Sequence, residues 1–227
     1  MELTMAPSRQ DVSTAPRAIL WSFRRCPYAI RARMALLASG LEVEMREIRL
    51  QDKPDAFLNA SPSATVPNLQ AGELSLDESL DIMFWALGHN DPQGLLDMPQ
   101  DGKTLISQND GPFKAALDHT KYAVRFPDLN PETERAKASD FIHALNTRLV
   151  AHPFLMGDRP SFADLAIFPF IRQFANIDRT WFDAQAWPHV IIWLDGFLQS
   201  SAFEKAMTKV PVWADGAPPY FFGKATE

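Results

Sequence analysis

The stretch "RRCPYAIRAR", residues 24–33, decides how the first part of the chain folds. It holds Cys26, the only cysteine among 227 residues, and a proline follows it at once. The preceding run "AILWSF" (18–23) is short and apolar like a buried strand, and the residues after the proline repeat apolar side chains with helical spacing. Proline is favoured at the first position of a helix. The sequence therefore predicts that Cys26 lies between the end of a strand and the start of a helix.

The pattern beyond this junction predicts an α/β unit followed by an all-helical unit. "LEVEMREI" (41–48) alternates like a strand, and "VPNLQAGELSL" (66–76) has the pattern of two strands joined by a turn. A strand–helix–strand opening requires a right-handed crossover, so we expect its two strands to be parallel within a four-stranded mixed sheet. The predicted segments are a flexible N-terminal extension (1–17), the α/β domain (18–88), a Pro- and Gly-containing linker (89–102), the helical domain (103–210) and a C-terminal tail (211–227).

Composition and charge limit the classes of function. The net charge of −6 disfavours a nucleic-acid partner. No apolar run approaches the roughly 18 residues of a membrane span, and the N-terminus lacks the apolar core of a signal peptide. A single cysteine excludes an intramolecular disulfide and suits a reducing compartment, and the five histidines show no metal-ligand spacing. We therefore expect a cytoplasmic protein with no metal, no membrane association and no nucleic-acid partner.

The position of Cys26 predicts a reactive thiol. Helix N-termini carry unpaired N–H groups and a partial positive charge, and both favour a thiolate. Arg24, Arg25, Arg31 and Arg33 can add to this effect, depending on which of them point inward. Cysteines in such places commonly have pKa values of roughly 3.5–7.5. The alternative is a buried, inert cysteine that happens to precede a helix.

Four stretches in order carry a resemblance to a known family. "CPYAIRARMAL" after an apolar strand resembles the active-site start of the thioredoxin superfamily. With "ATVPNL", "DESLDI" and "SFADLAIFPF" further on, the chain is similar to cytosolic glutathione transferases, and most of all to the cysteine-containing omega class and its bacterial relatives. The resemblance implies a thioredoxin-like N-terminal domain followed by an all-α C-terminal domain. It also implies a homodimer, since family members are usually dimers.

The resemblance also implies a role for individual residues. Cys26 would form a mixed disulfide with glutathione, which serves as co-substrate. Lys53 would bind the glycyl carboxylate, Val66 would pair its backbone with the cysteinyl part, and Ser79 would bind the γ-glutamyl carboxylate. The full implied glutathione set is Tyr28, Lys53, Val66, Pro67, Glu78 and Ser79, with Pro67 in cis. Aromatic residues of the second half could line a second-substrate pocket beside Cys26, and the candidates are Tyr122, Phe126 and Phe174.

One departure from related redox proteins changes the expected chemistry. Glutaredoxins usually carry the motif Cys-Pro-Tyr-Cys, whereas this chain has Ala29 at the position of the second cysteine. Cys26 must then be resolved by a second glutathione, which favours glutathione-dependent thiol transfer or dehydroascorbate reduction over conjugation. The alternatives are conjugation of glutathione to electrophiles and a non-catalytic interaction module of the same fold.

In the tail, "APPYFF" (217–222) is expected to pack its aromatic rings on the helical domain.

Overall fold

A computed structural model describes residues 17–223 of the chain. The predicted N-terminal extension lies outside the described residues except for Arg17, and so do the last four residues of the tail. The first domain contains strand β1 (Ile19–Ser22), helix α1 (Pro27–Ser39), strand β2 (Val43–Glu47), helix α2 (Asp55–Ala60), strands β3 (Asn68–Ala71) and β4 (Leu74–Leu76), and helix α3 (Ser79–His89).

The strands form one mixed sheet with the order β4-β3-β1-β2-β5, where β5 is the two-residue strand Phe221–Phe222. Strand β1 pairs with β2 in parallel, and β3 pairs antiparallel with both β1 and β4. The parallel pair next to Cys26 was predicted from the order of elements. It brings the end of β1, the start of α1 and the end of β2 to the same edge of the sheet.

The tail departs from its prediction. It adds a fifth strand to the sheet, and this strand, Phe221–Phe222, lies within the stretch 217–222 that was expected to pack on the helical domain. Strand β5 pairs antiparallel with β2, and the Trp213 N–H donates to the Glu47 carbonyl at 2.8 Å. The Trp213 ring packs edge-on against Trp21 of β1, with ring centroids 5.0 Å apart. The predicted four-stranded sheet was therefore one strand short, because the edge of β2 still offered unpaired backbone groups.

The second domain is helical. Its helices are α4 (Gln100–Gln108), a π-helical turn (Asn109–Phe113), α5 (Lys114–Lys121), a 3₁₀ turn (Ala123–Arg125), α6 (Pro131–Leu149), α7 (Phe162–Ala175), α8 (Arg179–Asp183), α9 (Pro188–Leu198) and α10 (Ser201–Ala206). The π-helical turn contains Pro112 and joins α4 to α5. Helix α7 begins with a capping box between Ser161 and Asp164.

Helix α1 connects the two domains. It packs against α3 within the first domain and against α7 and α10 of the second, and one continuous hydrophobic core extends through both domains. Being enclosed on all sides, α1 buries even its charged side chains, and Arg31 and Arg33 are 1% and 0% exposed. Buried charges require partners, so these two arginines position whatever lies next to them.

Candidate active site

One cavity of about 480 Å³ lies at the edge of the sheet where α1 begins. All seven residues predicted for catalysis and glutathione binding line it. They come from four separate parts of the first domain: the start of α1, the loop before α2, the loop before β3 and the start of α3. The lining residues are Cys26, Tyr28, Leu50, Lys53, Ala64, Thr65, Val66, Pro67, Asp77, Glu78 and Ser79.

Cys26 is the residue immediately before the first turn of α1. Its backbone is extended, its carbonyl accepts from the Ile30 N–H at 2.9 Å, and its side chain caps no helix N–H group. The thiol donates instead to the Val66 carbonyl across the cavity, with a sulfur–oxygen distance of 3.7 Å. No other hydrogen bond within residues 17–223 reaches that carbonyl.

The pKa of Cys26 moves in the direction opposite to the one predicted. Burial raises the pKa of the Cys26 thiol, and this effect exceeds the lowering by the N–H groups of Ala29 and Tyr28 and by the charges of Arg33 and Lys114. The thiol rather than the thiolate is therefore favoured at neutral pH. The helix N-terminus does act on the sulfur as expected, but the loss of solvent is the larger effect.

The arginines of the opening stretch have roles that spacing alone did not reveal. Arg31 forms a bidentate ion pair with Asp110 of the π-helical turn, at 2.8 and 2.9 Å, and its Nε donates to the Ser79 hydroxyl at 2.9 Å. Arg33 donates to the Arg24 carbonyl at 2.6 Å and lies 3.9 Å from the Glu47 carboxylate. These contacts fix the loop around Cys26 and join the domains, and they do not surround the sulfur with positive charge.

Burial also affects the charge of Arg33. It lowers the pKa of Arg33 to about 10, which leaves the guanidinium charged at neutral pH. The Arg33 charge in turn lowers the pKa of Cys26. Arg33 is thus an arginine of this stretch whose charge acts on the thiol.

The cavity wall opposite Cys26 is formed by the loop before β3. The Val66–Pro67 peptide bond is cis, as predicted. Lys53 reaches this loop and donates to the Ala64 carbonyl at 3.0 Å, so its ammonium group already lies at the rim of the cavity. The predicted backbone edge at Val66 and the predicted cation at Lys53 are therefore next to each other.

The start of α3 forms the floor of the cavity. Glu78 precedes the helix and Ser79 is its first residue, so the unpaired N–H groups of the first turn lie at this end of the site. Asp77, which the sequence did not single out, accepts hydrogen bonds from the Ser61 hydroxyl, the Ser63 N–H and the Asn68 amide. Burial alone would raise the pKa of Asp77, but these bonds together lower it below its ordinary value.

The aromatic residues predicted for a second-substrate pocket do not line this cavity. Phe174 is 3% exposed and packs in the core against Phe113, Trp181 and Phe182. Tyr122 contacts the cations of Lys121 and Arg125, and Phe126 packs against His119. Two side chains of the helical domain that contact the Tyr28 ring are Phe170 of α7 and Lys114 of α5. Lys114 carried no distinguishing signal in the sequence, since an isolated lysine is a surface residue by default.

Family comparisons agree with the two-domain architecture. Residues 20–93 match the glutathione S-transferase N-terminal domain, and residues 131–196 match the glutathione S-transferase C-terminal domain. Together the two matches cover more than half of the chain. The chain therefore belongs to the glutathione S-transferase family.

Individual relatives fall in several classes of that family. The chain is 29% identical over 145 residues to the probable cytosolic glutathione S-transferase DHAR1 of Oryza sativa, covering 63% of this chain and 64% of the relative. It is 26% identical over 168 residues to mouse glutathione S-transferase omega-1, covering 70% of this chain and 68% of the relative. The match to the rice protein thus spans slightly less than two thirds of that relative.

Solved structures confirm the fold. A glutathione S-transferase-I bound with lactoylglutathione has a TM-score of 0.69 at 23% identity, covering 85% of this chain and 99% of that one. A glutathione transferase family member from Pseudomonas fluorescens with two bound glutathiones has a TM-score of 0.69 at 21% identity, covering 87% and 95%. The α/β domain followed by an all-α domain, as predicted, is the fold of glutathione transferases.

Two further observations concern residues 17–223. No group of three or more His, Cys, Asp and Glu side chains in this range could hold a metal ion. No helix in the same range is both long and apolar enough to cross a membrane.

Proposed function

We propose that this glutathione transferase is a thiol transferase or reductase in which Cys26 carries the glutathionyl group as a mixed disulfide. The observation that supports it most is the single cavity that gathers Cys26 with all six residues expected to bind glutathione. The relatives named DHAR1 and omega-1 belong to classes consistent with this chemistry. We also propose a cytoplasmic location and a homodimer, on the resemblance to this family.

Glutathione would lie across the cavity with its three residues on three different walls. Its γ-glutamyl carboxylate would accept from the Ser79 hydroxyl and the N–H groups of the first turn of α3, and Glu78 would bind its ammonium group. Its cysteinyl residue would pair with the backbone of Val66 as a short added strand. Its glycyl carboxylate would lie near Lys53, and its sulfur would face Cys26.

Binding in this way would change the state of Cys26. The Val66 carbonyl that accepts the Cys26 thiol would instead accept the cysteinyl N–H of glutathione. The thiol would lose its acceptor, while the N–H groups of Tyr28 and Ala29 would still favour the thiolate against the burial that raises the pKa of Cys26. We propose that this exchange of partners ionises Cys26 when glutathione arrives.

The reaction would proceed in two exchanges. Ionised Cys26 attacks the glutathionyl sulfur of a mixed disulfide R–S–S–G, the disulfide bond breaks, and the leaving thiolate takes up a proton to give R–SH. A glutathione thiolate then attacks the glutathionyl sulfur on Cys26, which releases glutathione disulfide and restores Cys26. Ala29 offers no thiol for an internal disulfide, so the second exchange depends on free glutathione.

The test is turnover of a glutathione mixed disulfide by the wild type and by Cys26→Ser. We expect the variant to lose essentially all turnover, because a serine hydroxyl ionises far too weakly to replace the thiol. Retention on immobilised glutathione shows whether the variant still binds the co-substrate. A Cys26→Ser protein that keeps its turnover contradicts the proposal.

A second candidate is conjugation of glutathione to an electrophile, and the raised pKa of Cys26 favours it. A protonated Cys26 thiol could donate a hydrogen bond to the glutathione thiolate and hold it for attack. Serine would preserve this hydrogen bond. Conjugation of a chlorinated dinitrobenzene that survives Cys26→Ser, together with no mixed-disulfide turnover in the wild type, would select this alternative.

A further inference from the structure

The C-terminal tail holds the edge strand β2 at both of its ends. Beyond α10 the chain returns to the first domain, where the Trp213 N–H donates to the carbonyl of Glu47, the last residue of β2. Strand β5, which contains Phe222, then pairs with the opposite end of β2. Residues 211–223 thus form a strap along this edge of the sheet. One contact of the strap lies next to the loop that carries Cys26, and the other lies at the far end of the strand.

The two ends of the strap pack into different hydrophobic clusters. Phe222 is 5% exposed and belongs to the large core that extends through both domains. Trp213 packs instead on a separate small cluster, and Cys26 borders the same cluster. The members of this small cluster are Trp21, Ile48, Phe57, Ala60 and Val66. The Arg46 guanidinium lies 4.9 Å from the ring centres of both Trp21 and Trp213, so it holds the Trp213 ring against the sheet.

Glu47 connects the strap to the loop before Cys26. The Glu47 carboxylate accepts from the Arg24 N–H at 2.6 Å, and the Arg33 guanidinium donates to the Arg24 carbonyl at 2.6 Å. Two side chains that are 9% and 0% exposed therefore hold both backbone polar groups of Arg24. Cys26 follows two residues later, and its own N–H donates to the Phe23 carbonyl at 3.0 Å. The strap thus fixes the backbone of Glu47, while the Glu47 side chain fixes the turn that leads to Cys26.

The position of Cys26 depends on such contacts because residues 23–26 form a turn rather than part of a strand or helix. The partner of Cys26 in the proposed reaction is a sulfur held by other elements, the loop at Val66 and the start of α3. A displacement of about 1 Å between two reacting groups can cost about a hundredfold in rate. A contact that only orders this turn can therefore affect the rate without touching the co-substrate.

We propose that Trp213 and Glu47 are positioning residues that hold Cys26 at the place where it meets the glutathionyl sulfur. Trp213 does not line the glutathione cavity. It acts through the backbone of Glu47 and through the cluster that Cys26 and Val66 share. The inference rests on the proposed role of Cys26 and adds the part of the chain that supports it.

The test compares two matched variants of the strap, Trp213→Leu and Phe222→Leu. Each replaces an aromatic ring by the same smaller side chain, and both should lower the melting temperature. With the mixed disulfide of glutathione and 2-mercaptoethanol as substrate, Trp213→Leu should lower kcat/KM about tenfold or more, whereas Phe222→Leu should change it by less than about twofold. Trp213→Phe keeps a ring against Trp21 and should lose less than Trp213→Leu. Thermal unfolding shows that each variant is folded.

Hydrogen exchange tests the same contacts without any turnover. The Arg24 and Cys26 amides should exchange faster in Trp213→Leu than in the wild type, and Phe222→Leu should leave them unchanged. This measurement separates a failure of the inference from a failure of the proposed function, which turnover of Cys26→Ser tests. Equal losses of kcat/KM in the two leucine variants, a wild-type kcat/KM in Trp213→Leu, or unchanged exchange of both amides would overturn the inference.

Discussion

The buried pair between Arg31 and Asp110 gives an asymmetric prediction. Arg31 is 1% exposed and Asp110 is 25% exposed. Asp110→Ala leaves the buried Arg31 guanidinium with the Ser79 hydroxyl and the faces of the Tyr28 and Phe170 rings but no opposite charge. Losing one member of a buried pair lowers the free energy of unfolding by about 3–5 kcal/mol. Arg31→Met removes the buried charge, fills most of its volume and leaves a carboxylate that water can reach. We expect this second change to cost about 1–2 kcal/mol.

The assay is urea unfolding of the two single variants and the double variant. The double variant should resemble Arg31→Met, because the charge that made Asp110→Ala unfavourable is gone. Arg31→Met should also weaken glutathione binding, since it frees the Ser79 hydroxyl from its donor. A larger loss for Arg31→Met than for Asp110→Ala would refute the reasoning, as would single-variant losses that simply add.

Three further predictions concern the tail, the cavity and the thiol. Gly223→Ala should lower the thermal stability of the protein, because the φ of Gly223 is 110° and a Cβ there would collide with the Leu41 carbonyl. Gly216 also has a positive φ, 74°, but a Cβ there meets no atom, so Gly216→Ala should lower the melting temperature less than Gly223→Ala does. Because the folded state lowers the pKa of Asp77, its ionised carboxylate stabilises the fold at pH values above the unfolded-state pKa of about 3.9, and this stabilisation is lost as the pH falls through the lower folded-state pKa. Asp77→Asn should therefore lose less stability than the wild type over this pH range in acid unfolding, and the same pH dependence in both proteins would contradict the prediction. The rate at which iodoacetamide modifies Cys26 should rise with pH around a midpoint above about pH 8.5 in the protein alone, and around a lower pH when a glutathione analogue without a thiol is bound. Equal midpoints would exclude the proposal that glutathione replaces Cys26 as the hydrogen-bond partner of the Val66 carbonyl.

The features that sequence predicted best are local ones. The strand–Cys–Pro–helix order placed Cys26, because proline fixes the first turn of a helix and short apolar runs form buried strands. The resemblance implied the cis bond at Pro67 and named residues that share one cavity. Each of these depends on neighbours in the chain or on a motif quoted in full.

The features that sequence missed depend on distant partners. Arg31 forms an ion pair with Asp110, which lies 79 positions later in the chain, and no periodic sequence pattern links two residues so far apart. The pKa of Cys26 follows from how completely folding buries its thiol, which spacing does not reveal. Strand β5 has two residues and only forms because the edge of β2 is available, and Phe174 looks the same in sequence whether it lines a pocket or fills the core.

The most direct test of the central claim is the intact mass of the protein after it turns over a glutathione mixed disulfide without added glutathione. We predict that the wild type gains the mass of one glutathionyl group, that peptide mapping places it on Cys26, and that added glutathione removes it. The adduct should accumulate because Ala29 cannot resolve it. Turnover of the mixed disulfide with no adduct on Cys26, or the same adduct on Cys26→Ser, would contradict the account.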